Sequence, residues 1–230
     1  MSLIILNDLH ELPKYSSDNV CVVKGVLNQA FCDELVSAVN SWRQGRLPNQ
    51  DRGANWWYRI TKDGSEFDSC LFWQLKQVAP ADLREKLLHV YRVLFEAHVL
   101  CGTIPYNSTF DELLLDRGER PSLEPLIFFY KSGTGKFRRH AHELGFQQTQ
   151  VLINLTKRNR DYFGGETIIE EANGNEVELG DVFDQGDLFS FPYSLFHAVK
   201  DVELRDGSNE GGRMSILLPF HPRNRTKIRY

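Results

Sequence analysis

The stretch Leu126–His142 reads LIFFYKSGTGKFRRHAH. Its apolar opening, Leu126–Tyr130, is the first of a series of short predicted strands, and from here the period of the sequence changes to two. In the segment KFRRHAH, His140 and His142 stand two residues apart. On extended chain, positions i and i+2 project to the same face. Two imidazoles facing the same way are a common means of holding a transition metal.

Beyond His142 the period of two continues. Gln148–Leu155, Glu166–Glu170, Glu176–Leu179, Asp187–Pro192, Ala198–Leu204 and Arg213–Pro219 read as strands separated by Gly- and Asp-containing turns. That many short strands indicate an all-β sandwich or barrel-like core. Upstream the pattern is largely helical. Val20–Val26 is a buried strand of β-branched residues, and Asn28 caps a helix bearing Phe31, Leu35, Val36 and Val39. Pro80 opens a second helix, Ala81–Leu100, with Leu83, Leu87, Val90, Leu94 and Phe95 on one face. Gly45–Asn55 is a polar loop, and Gly102–Pro125 is polar and punctuated by Pro and Gly. Trp56, Trp57, Tyr58 and Trp73 are candidates to line a substrate pocket, although aromatic residues also pack cores. The expected fold is mainly β (α+β), a single domain over residues 1–230. In it, 1–125 form an N-terminal helical layer and substrate or lid region, 126–220 a double-stranded β-helix (jelly-roll) core, and 221–230 a basic tail.

Composition removes several classes. The 230 residues carry a net charge of −4 and a pI near 6.0, which argues against a general nucleic-acid coat. No apolar run approaches the ~18 residues needed to span a bilayer. The N-terminal MSLIILNDLHELPK has too short an apolar start for a signal peptide. Cys21, Cys32, Cys70 and Cys101 lack CxxC spacing, and without a secretion signal they read as reduced, buried thiols of a cytoplasmic protein.

Two further elements complete a constellation. His197 lies in SLFHAV, and sixteen residues later Arg213 opens the apolar run of GGRMSIL. Arg213 and Ser215 share a strand face. The guanidinium offers a planar fork for a carboxylate, and the Ser hydroxyl adds a donor.

In chain order these residues resemble the Fe(II)/2-oxoglutarate-dependent dioxygenases, in particular their prolyl-hydroxylase-like branch. That pattern runs Tyr-x-x-Gly, His-x-Asp, Gly-Gly-Glu-Thr, a distal His and Arg-x-Ser. Here stand Tyr130 and Gly133, His140, Gly164-Gly165-Glu166-Thr167, then Gly186-Asp187-Leu188-Phe189, His197, and Arg213 with Ser215. Single elements are weak, but the ordered set spans Leu126 to Pro219. The resemblance implies that His140 and His197 ligate Fe(II). It implies that Arg213, with Ser215, binds the distal carboxylate of 2-oxoglutarate, and that Tyr130 adds a hydrogen bond. O2 would be the oxidant, with succinate formed from the cosubstrate.

The sequence departs from the pattern at the third ligand, where His142 replaces the expected Asp. Three readings stay open. His142 ligates, giving a three-histidine face that leaves one more positive charge at the metal; or Glu143 supplies the carboxylate through a local bulge; or the position is vacant and the site is open. The residues favour an oxygenase that hydroxylates, desaturates or cyclises a small organic substrate, in keeping with a compact chain without a recognition domain and with a biosynthetic role. The alternatives are a three-histidine dioxygenase that does not use 2-oxoglutarate, against which Arg213 argues, and a non-catalytic barrel. Neither a nucleic-acid nor a membrane partner is expected, and the oligomeric state is open.

Overall fold

A computed structural model of the chain describes residues 2–14, 16, 19–43, 57–71, 79–115, 122–142, 149–171, 174–203 and 211–221. The Gly45–Asn55 loop, Trp56, Trp73, Glu143 and the basic tail from Pro222 onward lie outside these residues.

In chain order the first elements are β1 (Leu3–Leu6), a 3-10 helix (Leu9–Lys14), β2 (Val20–Val23), α1 (Gln29–Arg43), β3 (Tyr58–Ile60), β4 (Phe67–Leu71), α2 (Ala81–Leu100) and α3 (Phe110–Leu115). There follow β5 (Ser122–Leu123), β6 (Leu126–Lys131), β7 (Phe137–His140), β8 (Thr149–Asn154), β9 (Phe163–Gly164), β10 (Thr167–Glu170) and β11 (Glu176–Glu178). The last are β12 (Leu188–Pro192), β13 (His197–Val199), β14 (Val202–Glu203), β15 (Gly212–Leu217) and β16 (Phe220–His221).

The capping expectations hold at α1, where Asn28 Oδ1 accepts the Phe31 N–H at 2.9 Å. The short α3 was not expected, yet its signal is local. Thr109 and Glu112 form a reciprocal capping box: Thr109 Oγ1 accepts the Glu112 N–H, and the Glu112 carboxylate accepts the Thr109 N–H.

Eight strands form one sheet in the order β1-β2-β12-β8-β15-β6-β4-β3, and four form a second in the order β11-β10-β13-β7. The large sheet takes four strands from either side of residue 126. Residues 1–125, expected as a helical layer, therefore also supply β1 and β2 at one edge and β4 and β3 at the other. These short strands pair backbone groups that the central strands would otherwise leave bare.

The large sheet is buried on both faces, so alternate residues of each strand belong to different cores. Ile127 and Phe129 of β6, Val151 and Ile153 of β8, and Met214 and Ile216 of β15 pack with α1 and α2 in the larger core. Leu126, Leu152 and Leu217 face the other way and join Ile169 of the small sheet. Trp57 belongs to the helical core and packs at 6.0 Å from Trp42. Among the described residues no helix is long and apolar enough to cross a membrane.

Candidate metal centre

His140 ends β7 and His197 begins β13. The two strands are antiparallel, and these residues are direct cross-strand partners. Opposed residues of such a pair project to one face with their Cβ atoms only ~5 Å apart. Histidines 57 positions apart in the chain are thus side by side, with ring centroids separated by 4.1 Å. His142 lies just past the end of β7, its ring 5.0 Å from His140 and 5.3 Å from His197. One nitrogen from each of the three rings lies within 4.8 Å of the others.

Hydrogen bonding fixes the proton on two of these rings. His140 Nδ1 is 2.9 Å from the Arg138 carbonyl, and His197 Nδ1 is 2.9 Å from the Leu195 carbonyl. A carbonyl only accepts, so Nδ1 carries the hydrogen and Nε2 keeps its lone pair. His140 Nε2 is buried and has no hydrogen-bond partner among the described residues, a position that a metal would satisfy.

All three rings are shifted toward the neutral form, the form that ligates. Burial lowers the His140 pKa. Burial, then the neighbouring His140, takes His142 down to about 3. Burial, then His140 and His142, holds His197 well below its ordinary value. The donor set therefore fits a divalent transition metal that accepts imidazole nitrogen, iron included.

Between the two sheets lies a cleft of about 420 Å³, counting its solvent-open part, lined by His197 and Thr167 of the small sheet and by Tyr130, Arg213 and Ser215 of the large one. Arg213 pairs with Tyr130 across β15 and β6, and Ser215 pairs with Asn154 across β15 and β8. The Arg213 side chain is 2% exposed. It donates from Nη1 to the Gly165 carbonyl at 2.6 Å and from Nη2 to Thr167 Oγ1 at 2.7 Å. Among the described residues its buried Nε has no partner, and no carboxylate pairs with the guanidinium. A desolvated, unpaired cation is costly, and this one faces a cleft shared with His197.

Sequence reasoning did not name Gly165 and Thr167 as the groups that aim Arg213, although Gly-Gly-Glu-Thr contains both. Gly164 and Gly165 have φ of 61° and 64°, and this left-handed turn brings the Gly165 carbonyl to the guanidinium. Glu166 points elsewhere and pairs with Arg158. Ser215 Oγ donates to Asn154 Oδ1 at 3.4 Å, and the Asn154 amide donates to Tyr162 Oη at 3.3 Å. Arg138 donates to the Asp63 carbonyl. Arg139 pairs with Glu170 and covers the Phe196 ring, so these two cations sit on a solvated strand edge.

No family model and no curated protein matches the chain in sequence. Solved structures do match in fold. A Trichoplax adhaerens prolyl hydroxylase, in complex with a hypoxia-inducible-factor oxygen-degradation-domain peptide, superposes with a TM-score of 0.59 at 15% identity, covering 93% of this chain and 87% of that one. A 2OG-Fe(II) oxygenase-family oxidoreductase from Burkholderia pseudomallei gives 0.58 at 11% identity over 100% of both chains. The non-haem α-ketoglutarate-dependent epimerase SnoN of nogalamycin biosynthesis gives 0.55 at 13% identity, covering 93% of this chain and 82% of that one. The chain thus has the double-stranded β-helix fold of the iron- and 2-oxoglutarate-dependent oxygenases that its motif order resembles, with a histidine standing where their pattern has a carboxylate.

Proposed function

We propose that the chain is an Fe(II)- and 2-oxoglutarate-dependent oxygenase of a small organic substrate, with the iron held by His140, His142 and His197. The observation that carries this reading is the buried Arg213, without an acidic partner among the described residues, on the same cleft as His197. A three-histidine oxygenase that did without 2-oxoglutarate would have no use for such a cation. A dicarboxylate gives it a partner and leaves a second acidic end to reach the histidines.

Bound there, iron and 2-oxoglutarate would supply the O2 chemistry that side chains lack. The chain's own contribution is placement. Gly165 and Thr167 tie two guanidinium donors and leave others for the carboxylate. Tyr130 stands beside Arg213 on the paired strand as a further donor to the same anion, and Ser215, on the strand of Arg213, would join it by turning its hydroxyl away from Asn154. The Arg138 and Leu195 carbonyls hold two imidazoles in the tautomer that presents Nε2. Apolar Leu152, Leu217 and Phe191 line the cleft between these ends and limit water there. The four cysteines are free and three are buried, which supports a reducing, cytoplasmic setting.

The test is consumption of 2-oxoglutarate. Iron-loaded protein with 2-oxoglutarate, O2 and a panel of small organic substrates should release succinate, and Arg213→Ala should reduce it by at least tenfold at limiting 2-oxoglutarate. Release of succinate unaffected by Arg213→Ala, or none with any substrate of the panel, overturns the reading.

A further inference from the structure

The three histidines are not held alike. His140 and His197 are each fixed by an Nδ1–H bond to a backbone carbonyl. For the His142 ring there is no such bond among the described residues. It lies instead flat against Tyr193, with ring centroids 3.8 Å apart and planes at 0°. The main chains also meet: the His142 N–H donates to the Tyr193 carbonyl at 3.4 Å.

Tyr193 stands in a short turn between β12 and β13. The turn is closed by the Leu195 N–H donating to the Pro192 carbonyl at 3.1 Å. The Leu195 carbonyl of this turn is the acceptor that holds His197. One four-residue turn, Pro192–Leu195, therefore touches two histidines by different means. It offers a carbonyl to His197 and an aromatic face to His142. Past the end of β7, His142 has no strand partner among the described residues, and the Tyr193 ring is the nearest of the rings that meet its own.

From this we infer that Tyr193 is the positioning residue for His142, replacing with ring stacking the hydrogen bond that orients the other two. The inference rests on the three-histidine reading of the site. It also makes His142 the most easily turned of the three ligands, because its ring can rotate without breaking a hydrogen bond to any described residue. Loss of an outer partner that orients a metal-bound histidine lowers metal affinity by roughly 10–100-fold, and the same range is expected here when the flat partner is removed.

Co(II) alone is the probe, because its visible absorption reports the number and kind of ligands without turnover. The proteins compared are wild type, Tyr193→Phe, Tyr193→Leu, Tyr193→Met and His142→Ala, each checked for a cooperative thermal transition. Tyr193→Phe keeps the flat ring and should bind Co(II) within about twofold of wild type with the same spectrum. Tyr193→Leu should bind about tenfold more weakly, with a spectrum moved toward that of His142→Ala. Should the Leu variant not fold, Tyr193→Met fills a similar volume without a flat face and carries the same expectation. Wild-type affinity and spectrum in the folded Leu or Met variant, with His142→Ala weakened, overturn the role of Tyr193 and leave the three-histidine site standing. Wild-type affinity and spectrum in His142→Ala overturn the three-histidine site itself.

Discussion

Arg213→Met separates a ligand-binding arginine from a structural one. In the ligand-free protein the guanidinium makes two charged hydrogen bonds, to the Gly165 carbonyl and to Thr167 Oγ1. Each is worth about 1.5–3 kcal/mol. Against them stands the desolvation of a cation that is 2% exposed and lacks an acidic partner among the described residues, a penalty of several kcal/mol. The two effects have opposite signs and similar size, so removing both should change unfolding stability by no more than about 2 kcal/mol. An arginine locked in a closed structural ion pair behaves otherwise, costing about 3–5 kcal/mol when one partner is lost. The ligand response should diverge. With Co(II) present and 2-oxoglutarate at a hundred times its dissociation constant, the wild type should gain about 2.7 kcal/mol. Arg213→Met should gain almost nothing at the same concentration. The assay is urea unfolding followed by fluorescence, with and without 2-oxoglutarate. A ligand-free loss above about 3 kcal/mol, or an equal gain from 2-oxoglutarate in both proteins, refutes the reasoning.

His98 is fully buried in α2, its Nε2 2.7 Å from the Leu218 carbonyl, and burial takes its pKa down to about 4. Between that value and the unfolded value near 6.5 the unfolded chain binds the proton first, so stability falls as pH falls through this window. His98→Gln retains a donor but does not titrate, and the wild type should lose about 2 kcal/mol more than this variant between pH 7 and pH 5, read from urea midpoints. A Cβ at Gly212 would stand 2.4 Å from the Tyr130 carbonyl oxygen and 2.7 Å from Phe129 Cζ. Gly212→Ala should therefore cost about 1–3 kcal/mol by forcing β15 from β6, measured by chemical denaturation. His142→Asp should tighten Co(II) binding about tenfold in the absence of 2-oxoglutarate, the worth of one charge-assisted contact, and should shrink the further tightening that 2-oxoglutarate gives; both are read by Co(II) titration.

What the sequence displayed and what it concealed differ in kind. His140, His197 and Arg213 were legible because they are side chains in an ordered set. The pairing of β7 with β13, which makes His140 and His197 neighbours, joins residues 57 apart and leaves no local trace. The partners that orient the rings, the Arg138 and Leu195 carbonyls, are backbone groups and so have no residue type to betray them. Tyr193 is a side chain, but only the turn geometry brings it onto His142. The strands β1 and β4 are four and five residues long at or near the sheet edge, too short for alternation to mark them. Trp57, a candidate for the pocket, is in the core with Trp42. Its apolar bulk is equally suited to either place, and only the packing of α1 decides between them. By contrast α3 was readable, since Thr109 and Glu112 have the spacing of a capping box.

In the proposed site, the exchange of a carboxylate for His142 and an Arg213 without an acidic partner among the described residues are two parts of one charge balance. A carboxylate in the triad cancels half the charge of a divalent metal, and a neutral imidazole cancels none. With three neutral histidines as ligands a divalent metal would keep its two positive charges, and Arg213 would add a third on the same cleft. Burial, together with repulsion among the rings, keeps the histidines from adding more. Every one of these features raises the demand for an anion in the cleft, and a dianion with one end at each cation meets it. The metal and the dicarboxylate would then bind with positive coupling, and by linkage each would tighten the other to the same degree. A site with its own carboxylate needs less of this help, because part of the metal's charge is already neutralised. On the proposed reading, the histidine at position 142 would move the neutralising charge from the protein to the cosubstrate, and occupancy of the metal would depend on the acid held at Arg213.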